Sequence, residues 1–133
     1  MKPEIGRALE RGGIIDITTT GRKSGRLHRI EITFHNLNGK LYISGMPGRR
    51  DWLANLLANP EFVFHLKRRI KADLPARARP ILQEPERREL LRAVTRSWGR
   101  EGQLERFVEG SPLVEVTFLA DSILGKGPTG ADS

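Results

Sequence analysis

Residues 14–34 read IIDITTTGRKSGRLHRIEITF and contain two apolar segments on either side of a short basic turn. The first segment is rich in β-branched residues and the second alternates apolar with polar residues, and both patterns are typical of β-strands. Gly21 and Gly25 bracket the turn, where glycine permits positive φ angles and a close approach of the backbone to a ligand. The pattern predicts two strands joined by a tight basic turn.

The turn between these strands is cationic, because Arg22 and Lys23 precede Ser24, and Arg26 and His28 follow shortly after. Cations, a hydroxyl group and exposed N–H groups in such a turn can bind a phosphate. The spacing matches neither the P-loop nor the Gly-x-Gly-x-x-Gly fingerprint. From the residues alone, two interpretations stand, a phosphate site or a solvated basic hairpin tip.

The rest of the chain continues the alternation of strands with short helices. Period-two patterns predict strands at residues 41–45, 61–66, 70–81 and 113–119, and helical spacing predicts helices at residues 1–12, 51–59, 85–98 and 104–108. Asp51 is the expected N-cap of the second helix. Pro75 and Pro80 indicate an edge position or a bulge for the strand that contains them. About six strands with short flanking helices predict an antiparallel α+β domain, either a closed or a partly closed barrel.

The length of 133 residues predicts a single domain, which we place at residues 1–124, followed by a flexible tail at residues 125–133. The sequence has no cysteine, which excludes disulfides, a thiolate nucleophile and Cys-ligated metals. Residues 1–13 lack the apolar core of a signal peptide, and no apolar run has the length of a membrane span. We therefore expect a cytoplasmic protein.

The formal net charge of +7 indicates an anionic partner, either nucleic acid or an anionic ligand. With five Phe, two Trp and one Tyr, the chain offers few stacking platforms, so nucleic acid is the less favoured partner. His28, His35 and His65 have no acidic residue at a usual metal-ligand spacing, and we predict no metal site. No acid pair or nucleophilic triad is evident, so the chain is either a binder or a protein whose cofactor supplies the chemistry.

Two blocks of the sequence resemble the deazaflavin-dependent nitroreductase family. The first is Thr-Thr-x-Gly-Arg-Lys-Ser-Gly-Arg at residues 18–26. The second, LYISGMPGRRDWLANLLANP at residues 41–60, is similar to that family's strand, glycine-rich loop and Asp-Trp-x-x-Asn-Leu-x-x-Asn-Pro helix. The resemblance extends over residues 14–119. It implies a split β-barrel like that of the flavin-binding pyridoxamine-phosphate oxidases.

The resemblance also implies an oxidoreductase that transfers hydride between a bound deazaflavin, coenzyme F-420, and a small electron-poor acceptor such as a quinone or a nitro compound. FMN is the alternative cofactor. A non-catalytic carrier of flavin or deazaflavin is the alternative function, and a basic nucleic-acid-binding barrel is a third. Barrels of this kind commonly bind the ring where two subunits meet, so a homodimer is expected. Family members often carry tyrosines near the acceptor, whereas the only tyrosine here is Tyr42, which leaves the acceptor open.

The residues that the resemblance places at the cofactor lie in the two blocks and are Arg22, Lys23, Ser24, Arg26, His28, Ser44, Gly45, Met46, Pro47, Gly48, Arg49, Arg50, Trp52 and Asn55. The basic turn would hold the phosphate or the anionic tail. The glycine-rich loop would line the ring, and its two arginines would meet the tail or a ring carbonyl. Two roles stay open for Trp52 and Asn55, namely cofactor contact, or packing of the helix and hydrogen bonding of the loop backbone.

Overall fold

The computed structural model describes residues 2–119, which form a six-stranded antiparallel barrel with four α-helices. The strands are β1 (Gly13–Thr20), β2 (Leu27–Leu37), β3 (Lys40–Ser44), β4 (Glu61–Leu66), β5 (Ala72–Pro80) and β6 (Leu113–Phe118). The helices are α1 (Pro3–Arg11), α2 (Asp51–Ala58), α3 (Glu84–Ser97) and α4 (Leu104–Gly110), and a 3₁₀ turn at Glu101–Gln103 precedes α4. The predicted α+β split barrel is confirmed. The predicted tail at residues 125–133 lies outside the described residues.

The barrel closes in the order β1-β2-β3-β6-β5-β4, and β4 pairs back with β1. The β1–β2 ladder is continuous from the Gly13–Phe34 pair to the Thr20–Leu27 pair, so the predicted β1–β2 hairpin forms the longest ladder of the barrel. The closing ladder between β1 and β4 is short and runs from Asp16–His65 to Thr18–Val63. Closure leaves no strand of the barrel with an unpaired edge.

The expected edge position of β5 is wrong, because β5 pairs with β4 on one side and β6 on the other without a bulge. The prolines are tolerated because of where their nitrogens face. The Pro75 carbonyl accepts a hydrogen bond from the Leu119 N–H, just beyond the end of β6. Because the backbone N and O of a strand residue face the same neighbouring strand, the Pro75 nitrogen also faces this position beyond β6. Ile81 donates to Leu113 of β6, so the preceding Pro80 faces the β4 side, where pairing has already ended.

Alternation along the strands places one set of side chains inside the barrel, including the fully buried Ile15, Ile17 and Phe64. The helices α3 and α4 cover part of the outer wall with a second apolar cluster that contains Tyr42 and Phe107. In residues 2–119, no helix combines the length and apolar character needed to span a membrane.

The helices α1 and α2 lie at opposite ends of β1. Near the start of β1, the Leu9 carbonyl of α1 accepts a hydrogen bond from Asn36. Near its end, Asn55 of α2 bonds to Thr19, and Trp52 packs into the barrel core. Asp51 is the first residue of α2 rather than its N-cap, since Arg50 occupies the cap position without a side-chain bond. The basic turn that follows β1 therefore meets the N-terminal half of α2.

Candidate functional site

Asn55 joins the basic turn to α2. Its Oδ1 accepts two hydrogen bonds from Arg22, one from the backbone N–H at 3.1 Å and one from Nη1 at 2.9 Å. Its Nδ2 donates to Thr19 Oγ1 at 3.2 Å, and the residue is only 4% exposed. The two sequence blocks thus meet through a buried amide, and Asn55 bonds to the backbone of the basic turn.

The basic turn is closed by its own hydrogen bonds. Four of the six N–H groups of residues 21–26 donate within the protein: Gly21 to Arg26 O, Gly25 to Gly21 O, Arg22 to Asn55 and Arg26 to Ser24 Oγ. Within residues 2–119, the N–H groups of Lys23 and Ser24 have no partner. Two successive free N–H groups beside a lysine form the kind of nest that binds an anion.

A cleft of about 270 Å³ lies between the turn and α2. It is lined by residues of β1, the turn, β2 and α2, namely Thr19, Gly21, Arg22, Lys23, Ser24, His28, Ile30, Asp51, Trp52 and Asn55. Sites that enclose a drug-sized ligand have volumes of about 300–1,000 Å³. The cleft therefore suits the anionic end of a large ligand better than the whole of one.

Six of the predicted site residues line this cleft, namely Arg22, Lys23, Ser24, His28, Trp52 and Asn55. Trp52 is 7% exposed and belongs to the barrel core, so it presents only a small surface to the cleft. Arg26 belongs to the turn but does not line the cleft. The turn and the helix thus line one cleft.

The cleft also contains four residues that were not predicted as site residues from the sequence, Thr19, Gly21, Ile30 and Asp51. Thr19 had a usable signal, because the period of two that buries Ile15 and Ile17 also places this polar residue inward. At Gly21, an added Cβ would lie 2.9 Å from His28 Nε2 and 3.2 Å from the Arg26 carbonyl oxygen, so a larger residue would require His28 and the turn backbone to shift. Asp51 had been assigned to the helix cap alone.

The glycine-rich loop at residues 45–50 adjoins α2 but does not line the cleft. Gly48 donates its N–H to Gly110 O at 3.0 Å, which ties the loop to the end of α4. Ser44 is 2% exposed, and its hydroxyl group donates to Pro112 O at 2.8 Å. The side chain of Ser44 thus fixes the start of the loop to the segment between α4 and β6.

The arginines of this loop and of the turn differ in what they contact. Arg50 donates to the carbonyl oxygens of Met46 and Arg49 at 2.9 and 2.8 Å and so shapes the loop. Arg49 is exposed, and in the described part of the chain Lys23, Arg26 and Arg49 form no ion pair. Of these three cations, Lys23 alone lines the cleft, where its charge and the free N–H groups of the turn suit an anion.

The family model of the F420H(2)-dependent quinone reductases matches residues 1–107. A comparison with curated proteins gives no match.

Solved structures share the fold. An F420-H2 dependent reductase is 21% identical with a TM-score of 0.58, over 79% of this chain and 94% of that one. An FAD-binding protein from Mesorhizobium loti is 12% identical with a TM-score of 0.64, over 90% and 91% of the two chains. A protein described as a domain-swapped dimer is 22% identical with a TM-score of 0.59, over 86% and 94%. With the family model matching most of its length, the chain belongs to the F420H(2)-dependent quinone reductase family, whose members are deazaflavin-dependent oxidoreductases.

Proposed function

We propose that this chain is a reductase that binds coenzyme F-420 at the cleft between the basic turn and α2 and passes hydride to a small electron-poor acceptor such as a quinone or a nitro compound. FMN is the alternative cofactor. The observation that carries the proposal is the pair of free N–H groups at Lys23 and Ser24, in a turn that Asn55 holds against α2. This arrangement is preformed for an anion, so binding requires little reorganisation.

Each part of the site has a separate task in this proposal. The N–H groups of Lys23 and Ser24, together with Lys23 Nζ, bind the phosphate, and His28 lies beside them in the cleft. Arg26 and Arg49 are free to attract the anionic tail from outside the cleft. The deazaflavin ring supplies the hydride when it is bound. Protein groups around the ring place it against the acceptor and exclude water.

We place the ring against residues 44–50, outside the cleft. The cleft volume of about 270 Å³ holds only the anionic end, and the loop at residues 45–50 continues directly into α2. Because the ring then lies on the surface of one subunit, we also propose a cytoplasmic homodimer in which the second subunit covers the ring. A neighbouring structure is described as a domain-swapped dimer, which is consistent with such an assembly. Sedimentation at several concentrations tests it, and a monomer with full cofactor affinity contradicts it.

The substitution Lys23→Gln tests the phosphate site. We expect cofactor affinity to fall about tenfold, since one charge-assisted contact contributes roughly 1.5–3 kcal/mol. The matched control is Lys71→Gln, which removes the same charge from an exposed lysine outside the cleft. Equilibrium dialysis with coenzyme F-420 and with FMN measures both variants. Equal affinity of Lys23→Gln and Lys71→Gln would contradict the proposed site.

Turnover separates the reductase from a cofactor carrier. Protein loaded with reduced cofactor is mixed with a quinone or a nitroaromatic compound, and cofactor oxidation is followed by absorbance. A reductase accelerates oxidation above the rate of free cofactor, and the acceleration falls in Lys23→Gln when cofactor is limiting. A carrier binds the cofactor and leaves its oxidation rate unchanged or slower.

A further inference from the structure

Asp51 is an acid in a cleft that we propose for an anion. It lines the cleft with Arg22, Lys23 and His28, and its side chain is 92% exposed. As the first residue of α2, it favours the helix, because a carboxylate interacts well with a helix N-terminus. The same carboxylate repels an anionic ligand. Stabilisation of the helix alone therefore does not account for the position of Asp51 in the cleft.

The two terminal nitrogens of Arg22 are held very differently. Nη1 donates at 2.9 Å to Oδ1 of Asn55, which is buried. Nη2 lies 3.5 Å from Asp51 Oδ1, at the limit of a hydrogen bond and to an exposed carboxylate. Exposed ion pairs at such distances are weak. Arg22 thus has one firmly anchored nitrogen and one that can exchange its partner while the backbone stays in place.

A phosphate is a stronger partner for Nη2 than Asp51 is. The oxygens of a phosphate group accept hydrogen bonds from a guanidinium and from neighbouring N–H groups together, whereas Asp51 contacts Nη2 only at 3.5 Å. Lys23 and Ser24, whose N–H groups are free, follow Arg22 in the same turn and line the same cleft. A phosphate bound there would find Nη2 within the same site.

We propose, on the basis of the function proposed above, that Asp51 competes with the anionic end of the cofactor for Arg22. Ligand binding moves the Nη2 contact from Asp51 to the phosphate, while Nη1 stays on Asn55. Asp51 thereby lowers the affinity of the cleft for an anion that contacts Arg22 Nη2. In this proposal Asp51 tunes affinity and does not itself contact the cofactor.

The substitution Asp51→Asn removes the charge and keeps the shape of the side chain. We expect affinity for coenzyme F-420 and for FMN to rise about twofold to fivefold, the range that corresponds to one exposed ion pair. The control is Glu61→Gln, which causes the same change in net charge at an exposed pair with Arg77 outside the cleft. Dialysis against acetate gives a second readout, because Asp51→Asn should also bind this singly charged anion better than wild type does.

The variant Arg22→Gln distinguishes competition from simple repulsion. If Asp51 acts through Arg22, Asp51→Asn adds no affinity in the Arg22→Gln background. A full gain in that background, or no gain in the single variant, overturns the proposal. If these results occur while Lys23→Gln still weakens binding, the proposed function stands and only the competition fails. Absence of cofactor binding by the wild-type protein overturns both. Thermal melting confirms that each variant is folded.

Discussion

At the scale of single residues, the polar side chains of the two blocks divide into those that organise the site and those that are free for a ligand. The side chains of the first group, Asn55, Ser44 and Arg50, form hydrogen bonds within the protein. Lys23 and Arg49 form no ion pair within residues 2–119. The two sequence blocks alone do not distinguish these two kinds of residue, because Asn55 and Ser44 find their hydrogen-bond partners in distant segments.

Asn55→Ala should affect stability and binding together. The substitution removes the acceptor of the partly buried Arg22 N–H. An unsatisfied donor of this kind is costly, so we expect the free energy of unfolding to fall by about 1–3 kcal/mol. The turn then loses its attachment to α2, and cofactor affinity should also fall. Asn59→Ala, at the exposed C-terminal end of the same helix, is the control and should change neither quantity appreciably. Chemical denaturation and equilibrium dialysis measure the two effects, and lost affinity at full stability would indicate that Asn55 contacts the cofactor directly.

At the scale of elements, polar contacts on the outer wall join strands that are far apart in sequence. Asp16 of β1 accepts hydrogen bonds from Lys67 Nζ, after β4, at 2.6 Å and from Arg29 Nε of β2 at 2.9 Å. These bonds lie beside the short β1–β4 ladder that closes the barrel. The contact with Lys67, and then that with Arg29, hold the pKa of Asp16 below its ordinary value.

Asp16 should therefore contribute to the acid sensitivity of the fold. Since its folded pKa is lowered, its stabilisation is complete above the unfolded value of about 3.9 and is lost as the pH falls through the lower folded pKa. We expect Asp16→Asn to lower the free energy of unfolding by about 1 kcal/mol at neutral pH. The gap to wild type should shrink below about pH 4. Denaturation from pH 7 to pH 2 measures it, with Glu61→Gln as control, and a gap that does not change with pH would contradict the assignment.

Arg87 of α3 holds α4 in place. Its guanidinium donates to the carbonyl oxygens of Phe107, Val108 and Ser111 at the end of α4, at 3.2, 2.8 and 2.9 Å, and to Ile81 O at 2.8 Å. Burial lowers its pKa. The last carbonyl groups of a helix lack intrahelical donors, and Arg87 supplies a donor to Val108 O and Ser111 O, while Phe107 O also accepts from the Ser111 N–H. Arg87 thus stabilises the connection from α4 to β6, together with the Gly48–Gly110 and Ser44–Pro112 hydrogen bonds.

Arg87→Met should destabilise the protein by about 2–4 kcal/mol, because it leaves several partly buried carbonyl groups without a donor. Arg88→Gln is the neighbouring control, since Arg88 forms pairs with the exposed Glu84 and Glu105, and its loss should cost much less than that of Arg87. Urea unfolding monitored by circular dichroism compares the two variants. Similar losses for both would show that the carbonyl contacts are unimportant.

At the scale of the whole molecule, the closed barrel is the rigid body on which the site is built. Phe64 lies at its centre with 0% exposure, and its ring contacts those of Phe34 and Phe118 at centroid distances of 5.1 and 5.2 Å in edge-to-face geometry. These three residues come from β4, β2 and β6. The core therefore joins strands that are not neighbours in the sheet.

Phe64→Ala should lower the free energy of unfolding by about 3–5 kcal/mol, because it removes a large buried side chain and leaves a cavity. Leu57→Ala is the control on the surface of α2, where the leucine is 56% exposed, and should cost less than about 1 kcal/mol. Thermal and urea denaturation test both variants. A loss for Phe64→Ala no larger than that for Leu57→Ala would contradict the central role of this ring.

The sequence by itself determined the strands, the helices and the α+β barrel class, because alternation and helical spacing are local properties that each segment carries alone. The resemblance of two blocks to a known family predicted that the basic turn and the Asp-Trp helix belong to one site. Only the tertiary structure decided that Asn55 joins them, that Asp51 faces the cleft, and that β5 lies inside the sheet despite Pro75. These features depend on which backbone groups and side chains meet across the barrel, and contacts between distant segments leave no periodic signal in the chain.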